Sequence, residues 1–438
     1  MRDPSGRLHF SDGVAVRTLT RRVAAEDFVA MPLAQGLADA GLLVPFEVVD
    51  PHTIHSPELG FVSYPDEWTD AQLRAAADLT LEVSRQVLSG GFELKDASAW
   101  NVIFSGTHPV FCDHLSFETI ASRQWWAFGQ FCRHFALPLA CSRIRGVPAC
   151  ETFRTHRDGL PVERASHLLG MRGRLSRLLP ILAMGKPGWG SRDISGAEAS
   201  STRGTLHPRI YDYCATSLAV GKRRRLGGST PWSNYVSDRQ HYTTDASEAK
   251  AREVGRWLAR LRPSWVVDLG CNTGEFTRMA LDARADVIAV DSDHDSVERM
   301  FLANSGSRHL HPVVANLGDL TGGRGWMGAE HSGLLRRLSR NADLLMMLAL
   351  THHLFFSEGI PLGEIVSLAR GITKRWLIVE LIDPSDPMVQ QLASQHRRNA
   401  ADFSVELQAA AFQEVFEEVE RFSFGSTHRH LLLMRSRH

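Results

Sequence analysis

Residues 268–274 read DLGCNTG and combine one acid with two glycines. The apolar run WVV precedes Asp268, and Gly270 and Gly274 follow it. Glycine lets a backbone pass close to a ligand, because a Cβ atom would collide there. A helix that begins at such a turn also offers unpaired N–H groups and a positive dipole end. The pattern therefore predicts a strand, a tight turn and a helix beside a small ligand.

A dinucleotide is one candidate for that ligand. The fingerprint G-x-G-x-x-G uses its second glycine to let the chain approach a pyrophosphate. Counted from Gly270, the second position is Asn272 and the third is Glu275, so two of the three glycines are missing. The turn therefore does not favour NAD. A plain strand-to-helix connection that holds no ligand remains an alternative.

S-adenosylmethionine (SAM) carries an amino-acid tail, a sulfonium and an adenosine, and it has no phosphate. Asp268 could take the ammonium of that tail, directly or through water. A second acid, Asp291, ends the run VIAVD. A carboxylate at the tip of the next strand accepts both ribose hydroxyls of a nucleoside. Asp291 therefore supports a nucleoside ligand without choosing between SAM and NAD, and Ser292 or Asp293 could lie along the adenine.

Two adjacent histidines, His352 and His353, follow the apolar run DLLMMLAL. Ligands of open α/β sheets bind where such strands end. Histidine can take a proton from an acceptor near neutral pH, which helps when the acceptor is a hydroxyl. Both histidines are candidate catalytic bases, with His352 preferred. In the alternative reading, one of them only packs under the loop.

From about residue 245, strand-like and helix-like runs alternate along the chain, which predicts a parallel, doubly wound sheet. The runs 414–424 and 428–438 instead predict two antiparallel strands joined by a short turn. The expected fold class is thus α/β, with a mostly parallel sheet closed by an antiparallel hairpin. The runs VAVRTL and PFEVV, followed by the helical pattern 70–88, predict an N-terminal α+β part.

The DLGCNTG turn resembles motif I of class I SAM-dependent methyltransferases. Together with SYPDEW, LALTHHLFFSEGIPL, IVELIDPSDPMVQQL and THRHLLLMR, it is similar to the nodulation-protein (NoeA)-like members of that class. The resemblance covers most of the chain and matches least over 186–234. It implies a Rossmann-like C-terminal domain and a bacterial, cytoplasmic methyltransferase that uses SAM. O-methylation of a small-molecule or saccharide-like acceptor is favoured, while N-methylation and carboxylate methylation stay open.

The resemblance also implies site residues. Asn316 stands where the family often has an acid that holds the adenine amino group, and Asp319 is the alternative. The expected cofactor-binding residues are Asp268, Gly270, Asn272, Gly274, Asp291, Ser292, Asn316, Leu317 and Ala349. The acceptor-site candidates in matching text are Tyr235, Tyr242, Trp326, Glu330 and Glu380.

A second spacing lies in the N-terminal part, in LKDASAWNVIF followed by PVFCD. Asp96, Asn101 and Asp113 resemble the catalytic loop and metal aspartate of kinase-like and aminoglycoside-phosphotransferase-like folds. Leu94 departs from the histidine usual there, and no glycine-rich phosphate loop precedes it. The resemblance implies a reduced kinase-like domain for scaffolding or acceptor binding. A kinase-like or bifunctional enzyme that binds ATP, and ordinary turn residues, are the alternatives.

The chain has 438 residues and a formal net charge of zero, which suits two ordinary domains. Residues 121–240 hold 19 Lys and Arg against 7 Asp and Glu, so an RNA methyltransferase is a further alternative. No stacking motif accompanies this charge, and RNA is therefore not favoured. The expected division is an N-terminal domain over 1–120, a helical extension over 121–185, a linker and cap over 186–240, and a methyltransferase domain over 241–438.

Six scattered cysteines form no C-x-x-C pair, so we expect no metal site and reduced, cytosolic thiols. The N-terminus lacks the apolar segment of a signal peptide, and no run of about 18 apolar residues predicts a membrane span. The sequence leaves the oligomeric state open.

Overall fold

The computed structural model describes residues 5–183, 206–221, 244–423 and 428–437. The chain forms two units, Met1–Arg225 and Leu226–His438. None of the described helices combines the length and apolarity that a membrane span requires. All six cysteines are free thiols, and five of them are buried.

The first unit contains a four-stranded antiparallel sheet and two strand pairs. The sheet order is β1-β2-β4-β3, and the pairs are β5 with β8 and β6 with β7. The strands are β1 Gly6–Ser11, β2 Val14–Leu19, β3 Glu47–Asp50, β4 Thr53–Pro57, β5 Phe92–Leu94, β6 Val102–Ser105, β7 His108–Phe111 and β8 Phe117–Thr119. Strands β1, β4, β5 and β8 were missing from the sequence prediction.

A long helix, α2, organises the first unit. Thr69 caps its N-terminus by accepting a hydrogen bond from Gln72 N at 3.2 Å, and Gln72 Oε1 accepts one from Thr69 N in return. Most of the apolar residues of the helix are buried, as its predicted amphipathic pattern requires. The helices of this unit are α1 Pro32–Asp39, α2 Asp70–Ser89, α3 Phe128–Phe131, α4 Leu137–Arg145, α5 Cys150–Thr155, α6 Val162–Arg174, α7 Leu179–Ala183 and α8 His207–Ser217.

The second unit is built on one seven-stranded sheet of order β11-β10-β9-β12-β13-β15-β14. The first five strands in this order run parallel, whereas β15 pairs antiparallel with both β13 and β14. The strands are β9 Trp265–Leu269, β10 Asp286–Asp291, β11 Leu310–Val314, β12 Leu344–Met347, β13 Trp376–Ile382, β14 Phe416–Ser423 and β15 Arg429–Ser436. The α/β class predicted for this part of the chain is confirmed.

Helices connect the strands of the second unit. They are α9 Thr244–Leu261, α10 Glu275–Asp282, α11 His294–Ala303, α12 Leu334–Leu338, α13 Leu362–Ile372, α14 Pro387–Gln395 and α15 Val405–Gln413. Trp257 of α9 is fully buried in a core with Val266 of β9 and Leu344 of β12. The central strands carry continuous apolar runs because helices cover the sheet on both faces.

The order of the strands fixes the place of the ligand turn. Strand β9 lies between β10 and β12. The chain passes from β9 to β10 and β11 on one side of β9, and after β11 it crosses back to β12 on the other side. The carboxyl ends of β9, β10, β11 and β12 therefore meet at one edge. Ligand sites of open α/β sheets form at such a reversal of strand order.

Candidate functional site

Both glycines of the predicted turn have a backbone conformation that other residues rarely adopt. Gly270 has φ +71° and Gly274 has φ +84°. A Cβ atom on Gly270 would lie 3.2 Å from Leu350 Cδ1, and one on Gly274 would lie 2.7 Å from Met300 Sδ. Glycine is thus favoured at both positions by conformation and by packing against the protein's own side chains; the predicted approach to a ligand stays a prediction.

Asp291 closes the turn from the tip of β10. Its Oδ2 accepts a 2.8 Å hydrogen bond from Asn272 N, and its Oδ1 accepts one of the same length from Asp293 N. The backbone amides of Gly270 and Cys271 both donate to Val290 O. Burial raises the pKa of the Asp291 carboxyl. The loop after β9 and the tip of β10 are therefore joined through the Asp291 carboxylate.

Asp268 is the last residue but one of β9, and it is 3% exposed. Its Oδ2 accepts a 2.6 Å hydrogen bond from Thr277 Oγ1 in the first turn of α10. Burial raises the pKa of this carboxyl from 3.8 to about 6, and the nearby charge of Asp291 adds to the shift. The carboxylate is thus costly to hold without a counter-charge, which a cationic ligand would supply.

A cavity of about 270 Å³ opens at this edge of the sheet. Four acids line it, together with one lysine and one histidine. The lining residues are Ser247, Lys250, Asp268, Gly270, Cys271, Asn272, Thr273, Glu275, Phe276, Asp291, Ser292, Ala315, Asn316, Leu317, Leu348, Ala349, Leu350, His353, Leu354, Ser357 and Glu358. The surplus of acids favours a ligand that carries positive charge.

The cavity brings most of the sequence-predicted site residues together. Eight of the nine expected cofactor-binding residues line it, and Gly274 stands at the start of α10 beside them. Ala349 has φ +52°, an uncommon conformation for a residue with a side chain. Such strained positions concentrate at ligand sites, because the surrounding structure must hold them in place.

The two adjacent histidines lie in different surroundings. His353 begins a π-helical turn, His353–Ser357, and lines the cavity. His352 is fully buried and does not line it. Neither ring nitrogen of His352 has a hydrogen-bond partner among the described residues. Burial lowers the pKa of His353 to about 4, and the pKa of His352 falls well below its ordinary value for the same reason.

The residues expected near the adenine take different positions. Asn316 is exposed after β11 and lines the cavity. Its amide oxygen accepts a 2.9 Å hydrogen bond from Gly318 N, so this oxygen also shapes its own loop. Asp319, the alternative, is exposed and is not among the lining residues.

None of the described acceptor-site candidates lines the cavity. Trp326 is 66% exposed, and neither it nor Glu330 lines the cavity. Glu380 is fully buried behind it, on β13. Tyr235 and Tyr242 lie outside the described residues.

The sequence reasoning missed a buried charge network beside the cavity. Glu380 Oε2 accepts a 2.5 Å hydrogen bond from Lys250 Nζ, and Glu380 Oε1 lies 3.3 Å from Arg429 Nη1. Arg429 Nε donates to Asp386 Oδ2 at 2.8 Å. All four side chains are at most 7% exposed. The network joins α9 to β13 and β15 directly behind the candidate site.

The residues of the N-terminal spacing also lie together, in the first unit. Asn101 Nδ2 donates to the main-chain oxygen of Asp96 at 3.2 Å and to Ser116 Oγ at 3.1 Å. Asp113 accepts a 2.6 Å hydrogen bond from Ser116 and forms a 3.0 Å ion pair with Arg17. Burial raises the pKa of Asp96. The position expected of a metal aspartate is thus already paired with a guanidinium.

Two solved methyltransferase structures are similar to part of this chain. One is the N-methyltransferase NodS from Bradyrhizobium japonicum WM9 with S-adenosylhomocysteine (SAH), which is 14% identical and matches 47% of this chain and all of its own at a TM-score of 0.32. Another is magnesium protoporphyrin IX methyltransferase from Synechocystis PCC 6803 with SAH, at 15% identity, 44% and 84% coverage and a TM-score of 0.30. With TM-scores below 0.5, neither structure defines the function of this chain.

No family model matches the chain. A curated relative, nodulation protein NoeA from Rhizobium meliloti strain 1021, is 28% identical over 453 aligned residues. The alignment covers 98% of this chain and 94% of the relative. The resemblance expected from the sequence is therefore confirmed: over almost its whole length, this chain is similar to nodulation protein NoeA.

Proposed function

We propose that this chain is a SAM-dependent methyltransferase whose cofactor binds in the cavity at the ends of β9, β10 and β11. The observation that carries the proposal is the glycine turn tied to Asp291 beside a buried acid, Asp268, whose pKa is raised. The four acids of the lining oppose a pyrophosphate, and they suit a ligand with a sulfonium and an ammonium. The NAD alternative is weakened by the same charges and by Asn272 at the position that needs glycine.

In this proposal each part of the cofactor meets a different strand end. Asp291 binds the ribose hydroxyls, Asp268 faces the ammonium of the amino-acid tail, and Asn316 lies beside the adenine. SAM supplies an electrophilic methyl group when it is bound. The protein then has to align an acceptor with that group and exclude water, because methyl transfer is an in-line displacement.

The acceptor enters past the turn His353–Ser357. We favour O-methylation of a small-molecule or saccharide-like acceptor, with His353 as the group nearest to an incoming hydroxyl. With its pKa lowered to about 4 by burial, His353 is neutral and a weak base at physiological pH, so it can accept a hydrogen bond from that hydroxyl and orient it. His352 supports the loop from below, since its ring is fully buried.

A second candidate activity belongs to the first unit. The proximity of Asp96, Asn101 and Asp113 keeps Mg-ATP binding as the alternative, in a reduced kinase-like domain. The ion pair between Arg17 and Asp113 argues against a metal there, because a guanidinium already neutralises the carboxylate.

Calorimetric titration of the full chain with SAM, SAH, NAD and Mg-ATP tests these proposals. Saturable binding of SAM and SAH without NAD would support the methyltransferase. Binding of Mg-ATP alone would reject it and favour the first-unit site. Binding of NAD alone would mean that the glycine turn accepts a pyrophosphate despite Asn272.

A further inference from the structure

One buried cation faces the acid-lined cavity. Lys250 lies on α9, is 5% exposed and lines the cavity. Its Nζ donates to Glu380 at 2.5 Å and lies 4.8 Å from the centre of the Phe276 ring. A lysine is rarely buried this deeply unless it has a task or a partner, because desolvation of its charge is costly.

The charges around Lys250 locate it within the cavity. Burial lowers the pKa of Lys250, and the charges of Glu380 and Glu275 oppose this shift by favouring the ammonium. The charge of Lys250 in turn offsets part of the rise in the pKa of Asp268. Lys250 is bonded to Glu380 on β13, whereas Asp291 and Asn316 stand at the ends of β10 and β11. Along the sheet, Asp268 on β9 therefore lies between the strand that holds Lys250 and the two strands that end in Asp291 and Asn316. Among the described lining residues it is the one amine cation, since burial keeps His353 neutral near pH 7 by lowering its pKa.

We propose that Lys250 binds the α-carboxylate of the cofactor's amino-acid tail, while Asp268 binds the α-ammonium. This inference rests on the proposed function, and it names the groups that select the charged tail. An α-amino acid is a zwitterion, so a site that recognises it needs one cation and one anion a few ångströms apart. Lys250 and Asp268 both line the cavity and supply that pair, and Asp291, the proposed nucleoside acid, lines it as well.

Glu380 is a positioning residue in this arrangement. Its two carboxylate oxygens hold Lys250 on one side and Arg429 on the other, and Arg429 is fixed in turn by Asp386. The network contains two cations and two anions and is neutral as a whole. An ammonium held this way is already in place before the ligand binds, so little of the binding energy is lost in ordering it.

The test compares two ligands that differ only in the amino-acid tail. SAH carries the whole tail, whereas 5′-methylthioadenosine keeps the adenosine and the sulfur but has no α-carboxylate or α-ammonium. We expect Lys250→Met to weaken SAH binding about 10- to 100-fold, the size of a charge-assisted hydrogen bond, and to leave methylthioadenosine affinity within about twofold. Lys374→Met, which removes an exposed lysine of the same unit, should change neither affinity.

A ligand-side experiment covers the case in which Lys250→Met fails to fold. The thioether analogue of SAH that lacks the α-carboxylate should bind the wild-type chain about 10- to 100-fold more weakly than SAH. Lys250→Arg, which keeps a cation, should retain more of the preference for SAH than Lys250→Met does. In a folded Lys250→Met variant, the two changes should not add, because they remove the same contact.

Two results would overturn the inference while leaving the proposed function intact. One is an equal loss of SAH and methylthioadenosine affinity in Lys250→Met, which would mean a purely structural role. The other is an unchanged SAH affinity, or a carboxylate-free analogue that binds the wild type as well as SAH does. If the wild type bound neither SAH nor methylthioadenosine, the proposed function itself would fail, and the inference would fail with it.

Discussion

The backbone amide of Asn272 donates a 2.8 Å hydrogen bond to Asp291 Oδ2. This contact joins the loop after β9 to the tip of β10, so the two predicted halves of the nucleoside site are one hydrogen-bonded unit. The other carboxylate oxygen accepts from Asp293 N. A ligand ribose would therefore meet a carboxylate whose position is already fixed, which lowers the cost of ordering it on binding.

We predict that Asp291→Ala removes SAH binding. The substitution deletes the acceptor of the ribose hydroxyls and leaves two backbone N–H groups without their partner, so the affinity should fall by more than about 100-fold. Stability should also fall, by about 1–3 kcal/mol. Calorimetry at a temperature where the variant is folded measures the first effect, and chemical denaturation measures the second.

Asp282→Ala is the matched control, because Asp282 is an acid at the end of α10, away from the cavity lining. It should bind SAH like the wild type. Unchanged SAH affinity in a folded Asp291→Ala variant would contradict the assignment of the ribose to this carboxylate.

A second prediction concerns Gly274. Its φ is +84°, and a Cβ atom at this position would lie only 2.7 Å from Met300 Sδ, so Gly274→Ala is unfavourable for two reasons. The conformation alone costs about 1–2 kcal/mol, and the clash adds to it. Adding Met300→Ala to Gly274→Ala should remove the steric part and leave the conformational part, which urea denaturation of the single and double variants can separate.

Gly363→Ala is the control for this pair. Gly363 lies within α13, and a Cβ atom there would meet no atom within 4 Å. Alanine in a helix should be neutral or stabilising by up to about 1 kcal/mol. Equal stability of Gly274→Ala and Gly363→Ala would contradict the claim that the glycine turn packs tightly against α11.

The raised pKa of Asp268 predicts opposite trends with pH for stability and for binding. The folded-state pKa is about 6 and the ordinary value is 3.8, so the folded chain binds more protons between these values. The contribution of Asp268 to the free energy of unfolding therefore decreases as the pH rises from about 4 to about 6. The ionised carboxylate is the form that attracts an ammonium, so SAH affinity should rise over the same window.

Asp268→Asn should weaken both trends, because its amide does not titrate, while the Asp291 carboxyl, whose pKa is also raised by burial, retains part of them. Denaturant titrations and calorimetry on the two proteins, at several pH values from about 4 to about 7, give the comparison. A SAH affinity that is independent of pH in the wild type would show that Asp268 does not carry the cofactor's cation.

Replacement by leucine should affect stability differently at two buried histidines. His352 has no hydrogen-bond partner among the described residues, so His352→Leu should change stability by less than about 1 kcal/mol or improve it. His207 Nε2 lies 2.9 Å from Glu93 Oε2, and both side chains are fully buried. His207→Leu removes one hydrogen-bond partner of that buried carboxylate, whose other oxygen still accepts from Ala121 N, and it should cost about 1–3 kcal/mol.

Thermal and denaturant unfolding of both variants test this prediction. A large loss in His352→Leu would mean that the imidazole has a polar role, which would restore it as a candidate base.

Local signals were enough for much of the second unit. The runs DVIAVD and LGEIVSLARGI belong to the alternation expected from about residue 245, and they form β10 over 286–291 and α13 over 362–372. Helices α14 and α15 were missed, although Asp386 and Ser404 cap their N-termini by accepting backbone hydrogen bonds. Pro387 at the first position of α14 is a further start signal. Helix α15 has weak apolar periodicity, whereas that of α14 matches the predicted helix α2, so the capping residues were the signal that could have found both.

The candidate site could likewise be predicted only in part from the sequence. Asp268 and Asp291 could be predicted because strand-end acids beside a glycine turn form a local pattern. The role of Lys250 could not be predicted, because a single lysine on an amphipathic helix normally belongs to the solvent-exposed face of that helix. Only the packing of α9 against β13 buries it beside Glu380. His352 was preferred over His353 from the sequence, and their adjacent positions give no periodic signal to tell the cavity-lining ring from the buried one.

The structure of the full chain with SAH bound tests the central claim most directly. The account predicts SAH in the cavity, with both ribose hydroxyls within hydrogen-bond distance of Asp291 and the amino-acid tail between Asp268 and Lys250. SAH bound elsewhere, or bound with its adenosine away from Asp291, would contradict the assignment of this turn to SAM.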